Sequence, residues 1–292
     1  MLEEIGKLLQ PVFGQEIKVQ SSSSVRGGCI NQTLALQLNN GERVFLKHNS
    51  HPPVDFFAAE SKGLRLLADA VNGPRIPKPL VIQDSLNPTF LILEFIEEAS
   101  PGQNFPVRLA HSLAELHRIT QNNFGLDHDN YIGITPQKNT LEKNGVIFFR
   151  DQRLLPQQEL ARKSGKLPLS TDKILSKLCD RLENYLDISG EKPALLHGDL
   201  WSGNYFPDGN QVPSIFDPAV YFGLREADLA MTELFGRLPQ KFYDAYHEVF
   251  PLNSRYDERK DLYNLYHLLN HLNLFGGSYL SSVEQVLKKY HH

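Results

Sequence analysis

The stretch L-L-H-G-D-L-W-S-G-N spans residues 195–204, and I-F-D-P follows at residues 215–218 after a predicted hairpin. Transfer of a phosphoryl group to a hydroxyl asks the protein mainly for positioning and charge neutralisation. One carboxylate must accept the hydroxyl proton, and oxygen ligands must hold magnesium against the phosphates. Asp199 offers the base and Asn204 one ligand on a single loop, and the hairpin returns Asp217 as a second ligand. The stretch therefore predicts a site for phosphoryl transfer from ATP with Mg²⁺.

The alternative is that these are polar loop residues without a common function. If the stretch contained only one aspartate, this alternative would be preferred. The ordered set of histidine, aspartate, asparagine and a second aspartate across a hairpin argues against that alternative. His197 is expected to brace the loop, and Asp208-Gly209 is expected to form the hairpin turn.

A second group of candidates lies in the first third of the chain. Gly27 and Gly28 stand between two strand signals, where backbone amides without Cβ atoms could close over phosphates, although such a pair alone often marks only a turn. Lys47 ends the strand Val-Phe-Leu-Lys, and Glu60 on the following helix could pair with it. Lys47 alone would be read as a solvated strand end. Together with Glu60 and the downstream set of Asp199, Asn204 and Asp217, however, Lys47 is better explained by a role in orienting ATP.

A predicted strand ends in Glu94, Phe95 and Ile96, just before the composition changes. Adenine needs a backbone donor and acceptor, and a segment that joins two lobes could provide both. An ordinary strand end is the alternative, and position alone does not exclude it.

Periodicity predicts an α+β chain in two lobes. The predicted elements are a helix at 3–9 ended by Pro11, a strand at 17–20, a hairpin of strands 32–38 and 43–47 around Asn40-Gly41, a helix at 56–70, strands at 80–83 and 89–95, and helices at 107–119, 170–186, 240–250 and 256–274. Residues 123–140 read as loop. We therefore expect a small, strand-rich lobe at 1–97 that binds ATP, and a larger, mainly helical lobe at 98–292 that binds the acceptor.

Composition narrows the partners. The 292 residues carry a net charge of -4 and no run of lysines and arginines, which argues against nucleic acid or an anionic membrane. The N-terminus lacks the basic region and long apolar core of a signal peptide. Two cysteines are too few for a disulfide framework, so a cytoplasmic location is expected.

Cys29 follows the glycine pair and lies near Arg26, which could favour its thiolate. This placement predicts reversible loss of activity on mild oxidation, by a disulfide with a second chain or with a small thiol. A small buried residue is the alternative. Cys179, in a predicted helix, is expected to matter little.

Three other patterns are not interpreted as functional sites. His267 and His271 have metal-ligand spacing on a helix, but their surroundings predict packing roles. Asp208-Gly209-Asn210 has too few acids for a calcium loop. Ser202 lacks the G-x-S-x-G context of a hydrolase nucleophile.

Over nearly its whole length the chain resembles the fructosamine kinase (ketosamine-3-kinase) family, which lies near aminoglycoside and choline kinases. The resemblance is carried by G-G-C-I-N (27–31), V-F-L-K (44–47), A-E-S-K-G-L-R-L-L (59–67), F-G-L-D-H-D-N-Y-I-G-I-T-P-Q-K-N (124–139), F-F-R-D-Q-R-L-L-P-Q (148–157), H-G-D-L-W-S-G-N (197–204), D-P-A-V-Y-F-G-L-R-E-A-D-L-A-M (217–231) and L-Y-N-L-Y-H-L-L-N-H-L-N-L-F-G-G-S-Y-L (262–280). Trp201 and the D-P-A-x-Y sequence distinguish this family from protein kinases. The family usually has a tryptophan in the segment corresponding to 140–149, and this chain has none there. How this segment binds the acceptor sugar, and so which sugar is preferred, is left open.

The resemblance implies a protein-kinase-like fold and phosphorylation of the third-carbon hydroxyl of ketoamines, the products of sugars with amines. The phosphorylated product is unstable and releases the amine, which implies repair of glycated amines. It also implies that Asp199 is the proton acceptor, that Asn204 and Asp217 hold magnesium, that Lys47 and Glu60 orient ATP, and that Glu94 to Ile96 contact adenine.

Three rivals are a kinase of an aminoglycoside- or choline-like compound, a protein kinase and a pseudokinase. The motifs around Trp201 and Asp217 argue against the first, and the short link from Asp217 to Glu226 leaves no room for a long activation segment. Because Lys47, Asp199 and the two metal-ligand candidates are all present, a pseudokinase is disfavoured.

Overall fold

The structure is a computed structural model that describes residues 2–25, 30–84, 89–186 and 188–290. Gly27, Gly28 and Cys29 lie outside these described residues. The phosphate-loop and redox hypotheses that rest on them stay predictions of the sequence.

The first third forms a five-stranded antiparallel sheet in the order β1-β2-β3-β5-β4, with two helices. Its elements are α1 (Leu2–Phe13), β1 (Val19–Ser24), β2 (Gln32–Leu38), β3 (Arg43–Asn49), α2 (Phe56–Leu67), β4 (Pro79–Gln83) and β5 (Thr89–Glu94). Alternating side chains of the strands enter two apolar clusters, one that includes α1 and one that includes α2. The packing of α2 brings Glu60 beside Lys47 of β3.

Two predictions about this region are wrong in detail. Pro11 does not end the first helix, which continues to Phe13 and stops at Gly14, where φ is +69° and the N–H donates to the Gln10 carbonyl (2.9 Å). Glycine reaches this left-handed conformation easily, so it is the stronger stop signal. The strand predicted at 17–20 lies at Val19–Ser24 instead, where Ser21 to Ser24 pair with β2 through their backbone. Their exposed side chains suit an edge strand.

The remainder is mainly helical. Its elements are α3 (Phe105–His117), β6 (Asn130–Ile132), β7 (Thr135–Gln137), α4 (Gly145–Phe149), a π-helical turn (Arg150–Leu154), α5 (Leu155–Lys163), α6 (Leu169–Asp180), β8 (Ala194–Leu196), β9 (Tyr205–Pro207), β10 (Pro213–Ile215), β11 (Tyr221–Gly223), α7 (Glu226–Leu234), α8 (Gln240–Val249), α9 (Tyr256–Phe275) and α10 (Leu280–Lys289). The predicted α+β class, strand-rich first and helical later, is confirmed. Within the described ranges, no helix is both long and apolar enough to cross a bilayer.

The β6–β7 hairpin was predicted to be loop. Its strands have three residues each, too few for a periodic signal, and side chains fix it in place. Asn130 donates to the Val220 carbonyl (2.7 Å), and Gln137 donates to the Ala219 carbonyl (3.0 Å). On its other side, the Tyr131 hydroxyl donates to the Val54 carbonyl (2.8 Å) just before α2. The hairpin thus contacts both the strand-rich part and the segment after Asp217.

A second connection between the two parts lies at Arg75, between α2 and β4. Its N–H donates to the Pro213 carbonyl (2.7 Å), and its carbonyl accepts from the Ile215 N–H (3.0 Å). The predicted lobe boundary at residues 97 and 98 falls in the segment between β5 and α3, and the division stays a prediction.

Candidate active site

The loop between β8 and β9 brings Asp199 and Asn204 together. The Asn204 amide donates to the Asp199 carbonyl (2.9 Å) and lies 3.4 Å from Oδ2 of the Asp199 carboxylate. A turn closed by the Asn204 N–H on the Trp201 carbonyl (2.9 Å) produces this approach. The predicted base and metal-ligand candidates therefore share one compact loop.

Gly198 allows this loop to lie against the following chain. Its φ is +82°, and a Cβ there would stand 2.0 Å from the Ala219 carbonyl oxygen. A side chain is excluded on both grounds. Next to it, the Ala219 N–H donates to the His197 carbonyl (2.9 Å), so the close approach is hydrogen-bonded.

His197 occupies the bracing position that the sequence suggested. One ring nitrogen, Nε2, lies 2.9 Å from the Phe216 carbonyl, and Nδ1 lies 3.2 Å from the Asp199 N–H. Burial lowers the pKa of His197 and favours the neutral ring. A neutral ring with its proton on Nε2 donates to Phe216 and accepts from Asp199, which joins the two limbs of the site.

Asp217 arrives beside the loop through the β9–β10 hairpin. The Phe216 N–H donates to the Asn204 carbonyl (3.1 Å), which aligns the two limbs. The backbone of Asp217 is left-handed, with φ of +59°. Such a φ is uncommon except in Gly, Asn and Asp, and strained backbone often accompanies function.

Lys47 contacts Glu60, the pairing that the sequence suggested, and also Asp217, a contact that the sequence did not predict. Lys47 Nζ lies 2.6 and 2.7 Å from the two Glu60 oxygens and 2.5 Å from Asp217 Oδ1. The lysine is 2% exposed. Burial alone would lower the pKa of Lys47, but the neighbouring Asp217 and Glu60 carboxylates outweigh it and raise the pKa. The ammonium is therefore charged and ready to meet phosphate oxygens.

Asp199 has an unusually high proton affinity. Burial, followed by the charges of Asp217 and Asp228, raises the pKa of Asp199 to about 8. A base is most effective when its pKa lies near the working pH. A bound divalent cation would lower this pKa because it favours the carboxylate.

Asp228, at the start of α7, supports the loop that carries Asp199, and sequence reasoning missed it. It is 1% exposed, and its oxygens accept from the N–H groups of His197 (2.7 Å) and Gly198 (2.9 Å). His117 lies 3.2 Å from the same carboxylate. Burial would raise the pKa of Asp228, but these bonds, with His117 first, lower it. The available signal was an acid inside the apolar run of α7.

Asp228→Asn is expected to destabilise the fold by about 1–3 kcal/mol. The two backbone N–H groups now bind two carboxylate oxygens, whereas an amide offers them only one acceptor oxygen. Urea unfolding measures this, with exposed Asp69→Asn as the control that should change little. Since the pKa of Asp228 is lowered in the folded protein, its contribution is present at neutral pH and is lost as pH falls from the usual aspartate pKa through the lower pKa of the folded state. Equal unfolding free energies for the two variants would contradict this account.

The predicted adenine segment has its side chains engaged elsewhere. The Glu94 carboxylate accepts from Arg75 (2.5 Å), and the Phe95 ring lies 3.9 Å from the Arg43 guanidinium carbon. Ile96 is buried. Adenine contacts by this segment stay a prediction, and they would come from its backbone.

A cavity of about 380 Å³ opens beside Asp199. Its lining includes the oxygen-bearing side chains of Glu60, Asp199, Asn204 and Asp217. Hard oxygen donors of this kind fit a divalent cation such as magnesium. The lining also includes an aromatic wall with neighbouring ring centroids 4.8–6.4 Å apart, formed by Trp201, Phe235, His271, Phe275 and Tyr279. The cavity thus combines donors suited to a metal and its phosphate with rings suited to a partly apolar acceptor.

The absence of a tryptophan at 140–149 does not alter this wall. Among the described residues, none that lines the cavity comes from that segment. Its Phe148 and Phe149 are buried in the helical core instead.

Comparisons with known proteins agree with the geometry. A Synechocystis protein named "probable ketoamine kinase" is 39% identical over 292 residues, covering 98% of this chain and 96% of that protein. Protein-ribulosamine 3-kinase, chloroplastic, of Arabidopsis thaliana is 36% identical over 283 residues, covering 95% of this chain and 84% of that protein. The solved structure of a candidate fructosamine-3-kinase from Thermobifida fusca matches with a TM-score of 0.87 at 30% identity and covers 99% of both chains.

The kinase-like fold is confirmed by more distant structures as well. Two solved macrolide 2'-phosphotransferases, 13% and 14% identical, share the fold alone, with TM-scores of 0.55 and 0.58. The model of the family described as fructosamine kinase matches residues 1–292, which confirms the resemblance seen in the motifs. A full-length family match and relatives above 35% identity lead to one conclusion: the chain belongs to the fructosamine kinase family.

Proposed function

We propose that this protein transfers the γ-phosphoryl group of ATP to the 3-hydroxyl of a ketosamine, such as a fructosamine or ribulosamine. One observation carries the proposal: Asp199 lines a cavity together with Asn204, Glu60 and Asp217, and the last two hold the Lys47 ammonium. The names of the relatives, which include ketoamine kinase and ribulosamine 3-kinase, support the choice of acceptor.

In this proposal each polar residue has one task. Asp217 and Asn204 would hold Mg²⁺, which would supply charge neutralisation for the transferred phosphate. Lys47, held by Glu60, would contact phosphate oxygens. Asp199 accepts the proton of the 3-hydroxyl as the new O–P bond forms and the bond to the ADP oxygen breaks. His197 and Asp228 hold the loop that carries Asp199.

The instability of the product indicates the biological role of the reaction. A ketosamine phosphorylated on its third carbon is unstable and releases the amine, so the activity would repair glycated amines. Action in the cytoplasm and a redox-linked dimer through Cys29 remain predictions of the sequence.

The cavity also argues against a polycationic acceptor. Among the described residues that line it, the carboxylates are Glu60, Asp199 and Asp217, and each has a task with Lys47, the metal or the proton. No further lining acid within those ranges is free to bind an aminoglycoside ammonium.

An acceptor panel of fructosamines, ribulosamines, choline and aminoglycosides is therefore expected to favour the ketosamines by at least about 10²-fold in kcat/KM, since unpaired polar groups discriminate strongly. ADP formation measures the rate, and NMR locates the phosphate, which is expected on the third carbon. Asp199→Asn protein supplies the background. Faster turnover of choline or an aminoglycoside would make the protein a different kinase, and ATP binding without any transfer would make it a nucleotide-binding module.

A further inference from the structure

His267 lies in the middle of α9, behind the catalytic loop. It is 4% exposed, and within the described residues its Nδ1 has no hydrogen-bond partner. Oδ1 of Asp199 lies 3.9 Å from this nitrogen. The predicted packing role accounts for its burial but not for this orphaned nitrogen.

A metal site shared with His271 does not explain the nitrogen either. His271 Nδ1 lies 2.8 Å from the backbone carbonyl of His267, so this atom of the second ring is already engaged. Its ring belongs to the aromatic wall, 4.8 Å from Phe235. The two histidines therefore serve different surroundings.

We propose that His267 is a positioning residue for Asp199, whose carboxylate receives a hydrogen bond from Nδ1–H when nucleotide and acceptor are bound. The inference rests on the proposed function, in which Asp199 is the base. The separation of 3.9 Å exceeds a good hydrogen bond by about 1 Å, and a small rotation of the Asp199 side chain closes it. Catalytic hydrogen bonds are often long before substrates bind and shorten in the complex.

The protonation state of the His267 ring suits this role. Burial, with a smaller effect from His271, lowers the pKa of His267 to about 3, so the ring is neutral and carries a single N–H. A neutral ring whose proton is on Nδ1 has no lone pair on the atom that faces Asp199, so it would hold the carboxylate and would not accept its proton. A lone pair on Nδ1 would face the carboxylate unfavourably, whereas an N–H there is attracted to it.

The carboxylate of Asp199 would then be held from two sides. Asn204 lies 3.4 Å from Oδ2, on the side of the proposed metal. His267 lies on the Oδ1 side. Two donors in different directions fix the carboxylate plane and leave lone pairs for the acceptor hydroxyl.

The helix that carries His267 is itself fixed by buried hydrogen bonds. Tyr266 donates to Gln137 (2.7 Å), and Asn264 donates to the Ala230 carbonyl (2.9 Å). Asn270 lies 3.3 Å from the donating Gln157 amide. A side chain on such a frame loses little freedom when it forms the bond, which is the requirement for preorganised catalysis.

The test compares three substitutions of His267. His267→Leu removes the donor and is expected to lower kcat by about 10–10²-fold while KM for ATP and for the ketosamine stays within about 3-fold. His267→Asn places an amide N–H near the position of Nδ1 and is expected to recover most of the lost kcat. His267→Gln, whose amide reaches the position of Nε2, should resemble the leucine variant.

Stability measurements and a double-mutant cycle separate the possible failures. Rates are normalised to the folded fraction, since any replacement of a buried ring costs stability. In an Asp199→Asn background, His267→Leu is expected to change the residual rate less than about 2-fold, because its effect acts through Asp199. If Asp199→Asn is active, the proposed base is wrong. If it is inactive while His267→Leu turns over normally, or while the Asn and Leu variants are equally slow, the positioning role alone is overturned.

A spectroscopic readout does not depend on activity. In protein with ¹⁵N-labelled histidine, saturated with magnesium, a non-hydrolysable ATP analogue and a ketosamine, the His267 signals are assigned by their loss in His267→Asn. The Nδ1–H tautomer is expected in this complex, and the Nε2–H tautomer there would contradict the proposal.

Discussion

Asp199→Asn is expected to lower kcat by about 10²–10⁴-fold while ATP binding stays nearly unchanged. The amide has the shape of the carboxylate and can keep its place beside Asn204, but it cannot accept the hydroxyl proton. Because the loop backbone is held by Asp228 and His197, the substitution should not displace the rest of the site.

Single-turnover rates with a ketosamine and calorimetric titration with magnesium–ATP check this expectation. Exposed Asp244→Asn on α8 is the matched control and should behave as wild type. A kcat for Asp199→Asn within a few-fold of the wild-type value would remove Asp199 from the role of base.

The same residue predicts the direction of the pH dependence. Since the pKa of Asp199 is raised to about 8 and the base form is the carboxylate, activity is expected to increase with pH through an acid limb. A divalent cation nearby lowers the pKa of Asp199. The acid limb of the kcat profile, which reports the enzyme–substrate complex, is therefore expected at lower pH than the acid limb of the kcat/KM profile, which reports the free enzyme.

Asp217→Asn is expected to weaken magnesium-dependent ATP binding by at least about 10–100-fold and to lower turnover further, because it replaces a charged ligand by a neutral one. Asparagine is the suitable replacement because it tolerates the left-handed backbone at this position better than alanine does. The substitution also takes one carboxylate from Lys47, whose pairing with Glu60 should persist.

Calorimetric titration of ATP with and without magnesium checks this result. Affinity for metal-free ATP serves as the internal control and should not fall, since the substitution removes a negative charge near the phosphates. An unchanged response to magnesium would assign the metal to other ligands.

The sequence allowed the site to be predicted where spacing alone sets the geometry. Asn204 lies on the same tight loop as Asp199, and a short hairpin returns Asp217, so their proximity follows from local chain length. Lys47 and Glu60 meet because one strand and the next helix share an apolar cluster. These are contacts that motif and periodicity describe well.

Residues that support the site from a distance could not be predicted in the same way. Asp228 binds the N–H of His197 from 31 positions away, and His117 lies 111 positions from Asp228. Such partners depend on how helices pack, which no local pattern encodes. Periodicity identified α9 as a buried helix, but it could not say that His267 faces Asp199.

The ion pair between Lys47 and Asp217 has a consequence for the kinetic order of binding. If Asp217 is the metal ligand, as proposed, a divalent ion that arrives by itself would have to compete with the Lys47 ammonium, which lies 2.5 Å from that carboxylate. Phosphate oxygens that arrive with the ion would offer Lys47 a new anionic partner at the same moment, so the number of charge pairs would be conserved. We therefore expect the metal–nucleotide complex, rather than the free ion, to be the species that binds.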